Sequence, residues 1–477
     1  MLQQDTDTIC AIATPPGRGG IGIIRVSGPK AADICKCVTG SLPAARIATR
    51  AQFRASDLNI IDEGLVLYFP APNSFTGEDV LELQGHGGPH VLHSVLSQTQ
   101  QFGARLARPG EFTERAFLNG KVDLLQAEAV ADLIDAGSQQ AARSALRTLQ
   151  GVFSAKVNDI VQSLTRIRVN VEAAIDFSDE DIDIIERSGV GSELARLLRA
   201  MQALFREAEQ GAILKDGIHL VLAGAPNVGK SSLMNALCGN DSAIVTDTPG
   251  TTRDLLREQL NLDGLPITIT DTAGLRHSED PVEQEGVRRA SRAINEADRI
   301  FLVIDGEREQ SFVNTVSASS QEDIPDAWID TLVEGLGDQE SLALLGRTSM
   351  VINKIDLLTD SEPRQNTKIY KGIELKLFRV SAKQGLGLEL LREDIKQSSG
   401  YSAPDGSAFL ARKRHLVALQ EANDYLEKAN QGISEHLHLE LVAEDLRLAQ
   451  RILGRITGEV SSDDLLGEIF SSFCIGK

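Results

Sequence analysis

The chain has 477 residues, which at about 150 residues per domain allows roughly three domains, each with its own core. Hydrophobic residues make up 42% and charged residues 24%, a globular balance that excludes collagen-like, mucin-like and disordered chains. The formal charge of -20 disfavours sequence-blind binding of a polyanion, and it is unevenly spread: residues 1–120 carry 10 Lys and Arg against 11 Asp and Glu, the remainder 38 against 57.

The first residues contain Asp5, Asp7, Pro15 and Pro16 rather than a signal-type apolar run, and no stretch approaches the ~18 apolar residues of a membrane span. Five scattered cysteines, Cys10, Cys35, Cys37, Cys238 and Cys474, form no CxxC pair and no zinc-ligand spacing. A reduced, cytoplasmic protein without a membrane partner is expected.

In residues 1–120, turn-rich pieces such as 14–20 separate short β-type runs at 21–26 and 64–69, the pattern of a mixed α/β domain. No proline occurs between Pro109 and Pro226, and Leu124, Ala127, Ala131, Leu133 and Ile134, then Leu164, Ile167, Val171 and Ile175, recur at helical spacing. Proline is again absent after Pro404, and 409–456 repeats that periodicity. Between the two helical stretches, apolar runs at 218–223, 267–270, 300–304, 350–352 and 377–380 alternate with helical patterns, which predicts a parallel sheet covered by helices. The expected fold class is α/β plus all-α. An N-terminal α/β domain occupies 1–120, a discontinuous helical domain 121–214 and 401–477, and an inserted α/β domain with a mainly parallel sheet 215–400. The acidic stretch at 310–330 is read as a surface elaboration.

GAPNVGKS at 224–231 fits GxxxxGK[ST], follows an apolar run and opens into the glycine-free 232–237. Its glycines let backbone N–H groups approach phosphate, Lys230 brings a point charge to the β/γ-phosphates, and the Ser231 hydroxyl is suited to Mg²⁺. A glycine turn before a helix is the plainer alternative, and three further motifs weaken it. DTAG at 271–274 offers Asp271 to the Mg²⁺ shell and a glycine N–H to the γ-phosphate; NKID at 353–356 and SAK at 381–383 close two later runs. Asp356 can accept from guanine's ring N–H and amino group, Asn353 and Lys354 brace the loop, and the Ala382 N–H can meet the guanine oxygen, so GTP is favoured over ATP. The predicted nucleotide contacts are Asn227, Val228, Gly229, Lys230, Ser231, Ser232, Asp271, Thr272, Ala273, Gly274, Asn353, Lys354, Asp356, Ser381, Ala382 and Lys383. Leu275 stands where Ras-like proteins place a water-orienting glutamine, and no arginine finger is identifiable. Such a finger is worth roughly 10³–10⁵ in rate, so a replacement positive charge is expected.

Asn227, the run AIVTDTPGTTRD at 243–254, DTAGLR at 271–276 and FCIGK at 473–477 make the chain resemble, over essentially its whole length, the MnmE (TrmE) family of tRNA-modification GTPases. The resemblance implies a Ras-like P-loop GTPase domain activated by K⁺, which Asn227, the backbone of Thr246 and Thr248, and Thr251 would ligate. It implies Mg²⁺ on Ser231 and Thr252, Thr246 and Thr252 among the nucleotide contacts, and Glu283 as the water-orienting carboxylate. By local sequence alone, DPVE at 280–283 fits a helix start with Glu283 in a capping box. Pro249 departs from the commoner family form and stiffens the K⁺ loop.

The resemblance further implies that the N-terminal domain dimerises and binds a tetrahydrofolate derivative, the 5,10-methylene or 5-formyl form, at positions matching Arg25, Glu82, Lys121 and Lys477. It implies a homodimer that joins MnmG, which alone carries FAD, in a heterotetramer-type complex acting on carbon five of the tRNA wobble uridine to install an aminomethyl or carboxymethylaminomethyl group. Without it, the four charged residues read as surface ion pairs. Cys474 is a poor prenylation site because Gly476 and Lys477 follow it; a buried inert thiol and a nucleophile or acid beside the folate are the remaining readings. The stretch 412–415 and Arg143, Arg147, Arg166 and Arg168 are the candidates for RNA contact, each also readable as a solvated helix face. A regulatory GTPase, such as a ribosome-assembly factor, is the rival class.

Overall fold

The computed structural model describes residues 7–176, 189–239, 257–271, 292–307, 329–330, 338–401, 408–435, 438–460 and 463–476. They form two compact units, Met1–Asp135 with Ala145–Phe205 and Arg414–Lys477, and Ala136–Ser144 with Arg206–Lys413.

The first unit begins with strands β1 (Ile9–Ile12), β2 (Gly19–Ser27), β3 (Thr49–Arg54), β4 (Ile60–Phe69), β5 (Val80–Gly87) and β6 (Arg105–Leu106), in the spatial order β3-β4-β5-β2-β1-β6. Period-two alternation sends Ile24 and Val26 of β2, Val66 of β4, and Leu81 and Leu83 of β5 into one core with Ile34 and Val38 of α1 (Ala31–Thr39) and Leu92 and Val95 of α2 (Pro89–Gln101). The opposite face presents Arg25, Glu82 and Gln84, with Ile21 68% and Leu65 43% exposed beside them.

An ion network fixes α3 (Glu111–Leu118) beneath this sheet's edge. Buried Glu111 accepts hydrogen bonds from Arg105 Nη2 at 2.6 Å, Arg115 Nη2 at 3.1 Å and the Arg108 N–H at 2.7 Å. Arg115 also donates to Asp7 Oδ1 at 2.7 Å and Glu78 Oε2 at 3.1 Å. Burial alone would raise the Glu111 carboxyl; the Arg105 hydrogen bond, the Arg108 N–H and the charges of Arg105 and Arg115 outweigh it and hold the group at about 2. Helix α4 (Leu124–Ile134) then starts with a capping box, Asp123 accepting from the Gln126 N–H and the Gln126 side chain accepting from the Asp123 N–H. Helices α5 (Gln139–Leu149), α6 (Val152–Asp176) and α7 (Val190–Asp216) follow.

The second unit holds strands β7 (Ile218–Ala223), β8 (Arg257–Leu262), β9 (Leu265–Asp271), β10 (Arg299–Asp305), β11 (Thr348–Asn353), β12 (Arg364–Tyr370) and β13 (Ile373–Arg379), with helices α8 (Lys230–Cys238), α9 (Asp338–Leu345) and α10 (Leu388–Ser398). Their order is β12-β13-β11-β10-β7-β9-β8. The five inner strands are parallel, and β12 and β8 run antiparallel at the two edges. Every residue of β11 is buried, as a parallel strand covered on both faces requires. Because β7 lies between β9 and β10, the strand order reverses there, and the loop leaving β7 opens into the crevice of an α/β sheet.

The chain returns to the first unit as α11 (Lys413–Ser434), α12 (Leu439–Thr457) and α13 (Asp463–Ser471). Phe153, Val157, Ile160, Leu164, Ile167 and Val171 on α6 are buried at intervals of three or four, as are Val442, Leu446, Ala449 and Leu453 on α12, which packs against α6. Between them Arg168 Nη1 donates to Gln450 Oε1 at 2.6 Å and Gln450 Nε2 to Thr165 Oγ1 at 3.2 Å. Residues 145–205 and 414–477, on either side of the inserted domain, therefore belong to one body.

That body is closed at α4 and α11. Glu128, 1% exposed, accepts from Arg414 Nε at 2.9 Å and Nη2 at 2.8 Å, and His415 Nε2 lies 3.0 Å from its Oε2. The RNA-contact expectation fails for these two members of the 412–415 stretch: Arg414 is committed to a buried carboxylate, and His415, edge-on to Phe153 at 5.5 Å, is itself buried. Burial would raise the Glu128 carboxyl, but the charge and hydrogen bond of His415, then those of Arg414, pull it well below the usual range. Among the described residues no helix is long and apolar enough to cross a membrane, and all five cysteines are free thiols.

Replacing Glu128 with Gln should cost about 3–5 kcal/mol, the usual penalty for stranding one half of a buried ion pair, read as a lowered unfolding midpoint. Because the native carboxyl is depressed, its contribution is complete above about pH 4.3, where an unfolded glutamate titrates, and is lost as pH falls through the lower native value. The Gln variant should accordingly show a flatter acid limb than wild type; parallel limbs would refute the clamp.

Candidate nucleotide and one-carbon sites

The ends of β9, β10, β11 and β13 and the start of α8 build the first site. Lys230, the first residue of α8, is 7% exposed, and its ammonium donates to the loop carbonyls of Gly224 at 3.0 Å and Ala225 at 3.1 Å. Burial lowers its pKa, against the pull of Asp271. Ser231 Oγ donates to Asp271 Oδ2 at 2.6 Å, at the end of β9. The other oxygen, Asp271 Oδ1, is buried without a hydrogen-bond partner among the described residues. A hydroxyl and a carboxylate meeting beside an orphaned hard oxygen fit a small divalent cation such as Mg²⁺.

The ends of β11 and β13 brace this loop from the other side. Asn353 Nδ2 donates to the Val228 carbonyl at 3.0 Å while its Oδ1 accepts from the Ala382 N–H at 3.0 Å, so one amide joins the P-loop to the SAK loop. A Cβ on Gly229, where φ is 95°, would overlap that Nδ2, so glycine is required at this crossing. Lys354 Nζ donates to the Asn227 carbonyl and to Asp305 Oδ2, both at 2.8 Å. Ser381 Oγ donates to Asp356 Oδ1 at 2.6 Å and accepts from the Gln384 N–H at 3.2 Å, which orients the half-buried Asp356 carboxylate. Asn227, Ser232 and Lys383 are exposed around the same loops. Thr246, Thr248, Thr251, Thr252, Thr272, Ala273, Gly274, Glu283 and Lys477 lie outside the described residues.

In the first unit, Arg25 of β2 stands opposite Glu82 of β5 and donates to its Oε1 through Nε at 3.1 Å and Nη2 at 3.0 Å. The Arg25 guanidinium also lies 5.7 Å from the Phe75 ring centre and 5.8 Å from that of Phe112, and its Nη1 donates to the Gly476 carbonyl at 3.4 Å. The C-terminal segment thus reaches this pair, and Cys474, two residues before, is exposed. Lys121 is not brought into the pair by any hydrogen bond or ion pair among the described residues. It donates to the Pro72 carbonyl at 2.9 Å, and its stem lies against Gly77 in the loop that carries Phe75.

Sequence reasoning missed Asp305, although it closes an apolar run at a strand end, the position that supplied the other motifs. It also missed Phe75 and Phe112, for which no local pattern gives a signal.

A glycine-rich phosphate loop at the switch point of a parallel sheet, an aspartate ending the next strand, and NKID and SAK loops bonded to one another define a P-loop GTPase domain. The chain matches the family descriptions "GTP-binding protein TrmE N-terminus" over residues 8–121 and "MnmE helical domain" over 124–474. A protein named tRNA modification GTPase MnmE from Nitrosococcus oceani is 51% identical over 472 residues, covering 99% of this chain and 97% of that one. One of the same name from Proteus mirabilis is 49% identical over 478 residues, covering 99% and 100%. The chain belongs to the MnmE (TrmE) family and is a GTP hydrolase of tRNA modification.

Asn353→Ala would strand the Val228 carbonyl and the Ala382 N–H, at about 1–3 kcal/mol for each buried group left unpaired. Titration with a fluorescent GDP analogue should show at least a tenfold weaker Kd; an unchanged Kd would remove the brace from the binding site.

Proposed function

We propose that the chain is a K⁺-activated GTPase whose turnover serves modification of carbon five of the tRNA wobble uridine, together with the FAD-carrying MnmG and a folate one-carbon donor. The observation that carries the reading beyond GTP hydrolysis is the Arg25–Glu82 pair, flanked by Phe75 and Phe112 and met by the backbone of Gly476. A nucleotide switch has no need of such a cluster. A carboxylate suits the amino and ring N–H groups of a pterin, flat rings suit its faces, and the cations of Arg25, Lys121 and Lys477 suit a glutamate tail. The folate would supply the one-carbon unit; this chain's part is to bind and orient it and to present Cys474.

In the GTPase domain, Lys230 and the N–H groups of the loop hold the phosphates, and Asp356 reads guanine, whose oxygen would share or take over the Ala382 N–H now donated to Asn353 Oδ1. Ser231, Asp271 and Thr252 offer oxygens to Mg²⁺, which neutralises phosphate charge when bound. Asn227 is exposed, and Lys354 already fixes its carbonyl, so its side-chain oxygen is suited to a second cation. K⁺ there, with Thr246, Thr248 and Thr251, would supply the positive charge that an arginine finger supplies elsewhere, and Glu283 would orient the attacking water.

In this reading 1–120 is the folate-binding and dimerisation domain, 121–214 and 401–477 the helical domain, and 215–400 the GTPase domain. The exposed Ile21 and Leu65 on the sheet face away from α1 and α2 support a homodimer, and five free thiols support work in the cytoplasm.

GTP turnover in KCl should exceed that in NaCl at equal ionic strength by at least tenfold, and Asn227→Ala should remove the difference. Equal rates in the two salts for the intact chain would sink K⁺ activation. For the tRNA chemistry, nucleosides from a host lacking its own homologue are to be measured by mass spectrometry after complementation. The intact chain should restore the wobble-uridine product and Cys474→Ser should not; restoration by both would make the cysteine structural, and by neither would favour a regulatory switch.

A further inference from the structure

We propose that Gly110 is a positioning residue, which seats the C-terminal segment against α3 and thereby sets where the Cys474 thiol stands. Only the effect on tRNA product rests on the role proposed above for Cys474.

The segment after α13 is held by shape more than by bonds. Phe470 and Phe473, 5.6 Å apart, are buried in a cluster with Leu124 and Leu466, against which Phe117 packs. Gly110, at the start of α3, has φ 67° and lies flat against them: a Cβ there would stand 2.6 Å from the Phe470 carbonyl oxygen and 3.1 Å from Phe473 Cβ. Neither neighbour is the end of a flexible side chain, so neither can swing aside. The Gly110 N–H, turned the same way, donates to the Cys474 carbonyl at 3.4 Å. Two residues further, the Gly476 carbonyl accepts from Arg25 Nη1, and a Cβ on Gly476 would overlap the Ile12 carbonyl of β1.

The far side of the seat is rigid. Gly110 is followed by Glu111, buried and bonded to Arg105, Arg108 and Arg115, so the turn cannot retreat from an added methyl group without breaking that network. The strain must therefore go into the chain end, whose hydrogen bonds from Cys474 onward to the rest of the unit, among the described residues, are two long contacts of 3.4 Å. With its carbonyl drawn toward Gly110, Cys474 remains exposed while the residues on either side of the tail, Phe473 and Gly476, are buried.

Gly120 supplies the control, since its φ of 64° imposes the same backbone strain on a substituted residue while nothing lies within 4 Å of its Cβ position. Gly110→Ala, Gly110→Asn and Gly120→Ala are to be compared by hydrogen exchange and mass spectrometry of the full-length chain. Exchange in the C-terminal peptide should quicken at least tenfold in Gly110→Ala, with α6 peptides unchanged as the check on folding, and stay at the wild-type rate in Gly120→Ala. Gly110→Asn should behave as Gly110→Ala, because Asn tolerates the left-handed backbone yet carries the same Cβ. Equal exchange in Gly110→Ala and Gly120→Ala would overturn the proposal, and so would wild-type protection in Gly110→Asn. In the complementation assay both Gly110 variants should lose at least tenfold of the wobble-uridine product. A loosened tail with product retained would leave the seat standing and remove Cys474 from the chemistry.

Discussion

The buried carboxylate of Glu128 is the point on which the architecture turns. It lies on α4, before the inserted domain, and its partners Arg414 and His415 lie on α11, after it, 286 residues further along the chain for Arg414. Closing so long a loop is entropically expensive, though the cost grows only with the logarithm of its length. Apolar packing between α6 and α12 supplies most of what is needed, but packing alone tolerates sliding by a turn. A carboxylate satisfied in the interior by a guanidinium and an imidazole does not, because any other register strands a charge there. The inserted domain can thus begin and end on a body whose two halves are held in one alignment.

The GTPase domain answers the same problem with hydrogen bonds. Its loops leave separate strands, and each would be a mobile connection by itself. Asn353 ties the P-loop to the SAK loop, and Lys354 ties it to the end of β10. Residues whose motif is read for guanine recognition therefore also set the shape of the phosphate cradle. In the proposed reading, base and phosphate recognition would be coupled through these two side chains, without any need for the strands to move.

Much of this was legible because the chemistry is local. A phosphate loop needs its glycines, lysine and hydroxyl within eight positions, and strand ends in a parallel sheet announce themselves as apolar runs that stop at Asp271, Asn353 or Ser381. What was not legible depends on approach in space. The stretch 412–415 shows four polar residues and looks like a basic surface, because nothing nearby reveals that Arg414 and His415 face Glu128. Arg25 and Glu82 are separated by 57 positions and become partners only through strand register. Gly110 looks like any glycine before a helix, and its meaning lies in the backbone of residue 470.

The phosphate loop is satisfied within itself, and this shapes what nucleotide binding must do. Lys230 spends its hydrogen bonds on the carbonyls of Gly224 and Ala225, and Ser231 spends its hydroxyl on Asp271. Phosphate oxygens and a cation would take over these groups, so the number of hydrogen bonds changes little and the gain must come from elsewhere. It comes from charge: the Lys230 ammonium is buried, and burial disfavours its charged form, so an arriving polyanion supplies the counter-charge that the carbonyls give only as dipoles. Asp271 Oδ1, buried and without a hydrogen bond among the described residues, stands to gain in the same way from a divalent cation. The nucleotide would answer Lys230 and the cation Asp271, while either one alone would meet a like charge in the other's partner, and that reciprocity favours their binding together rather than one at a time.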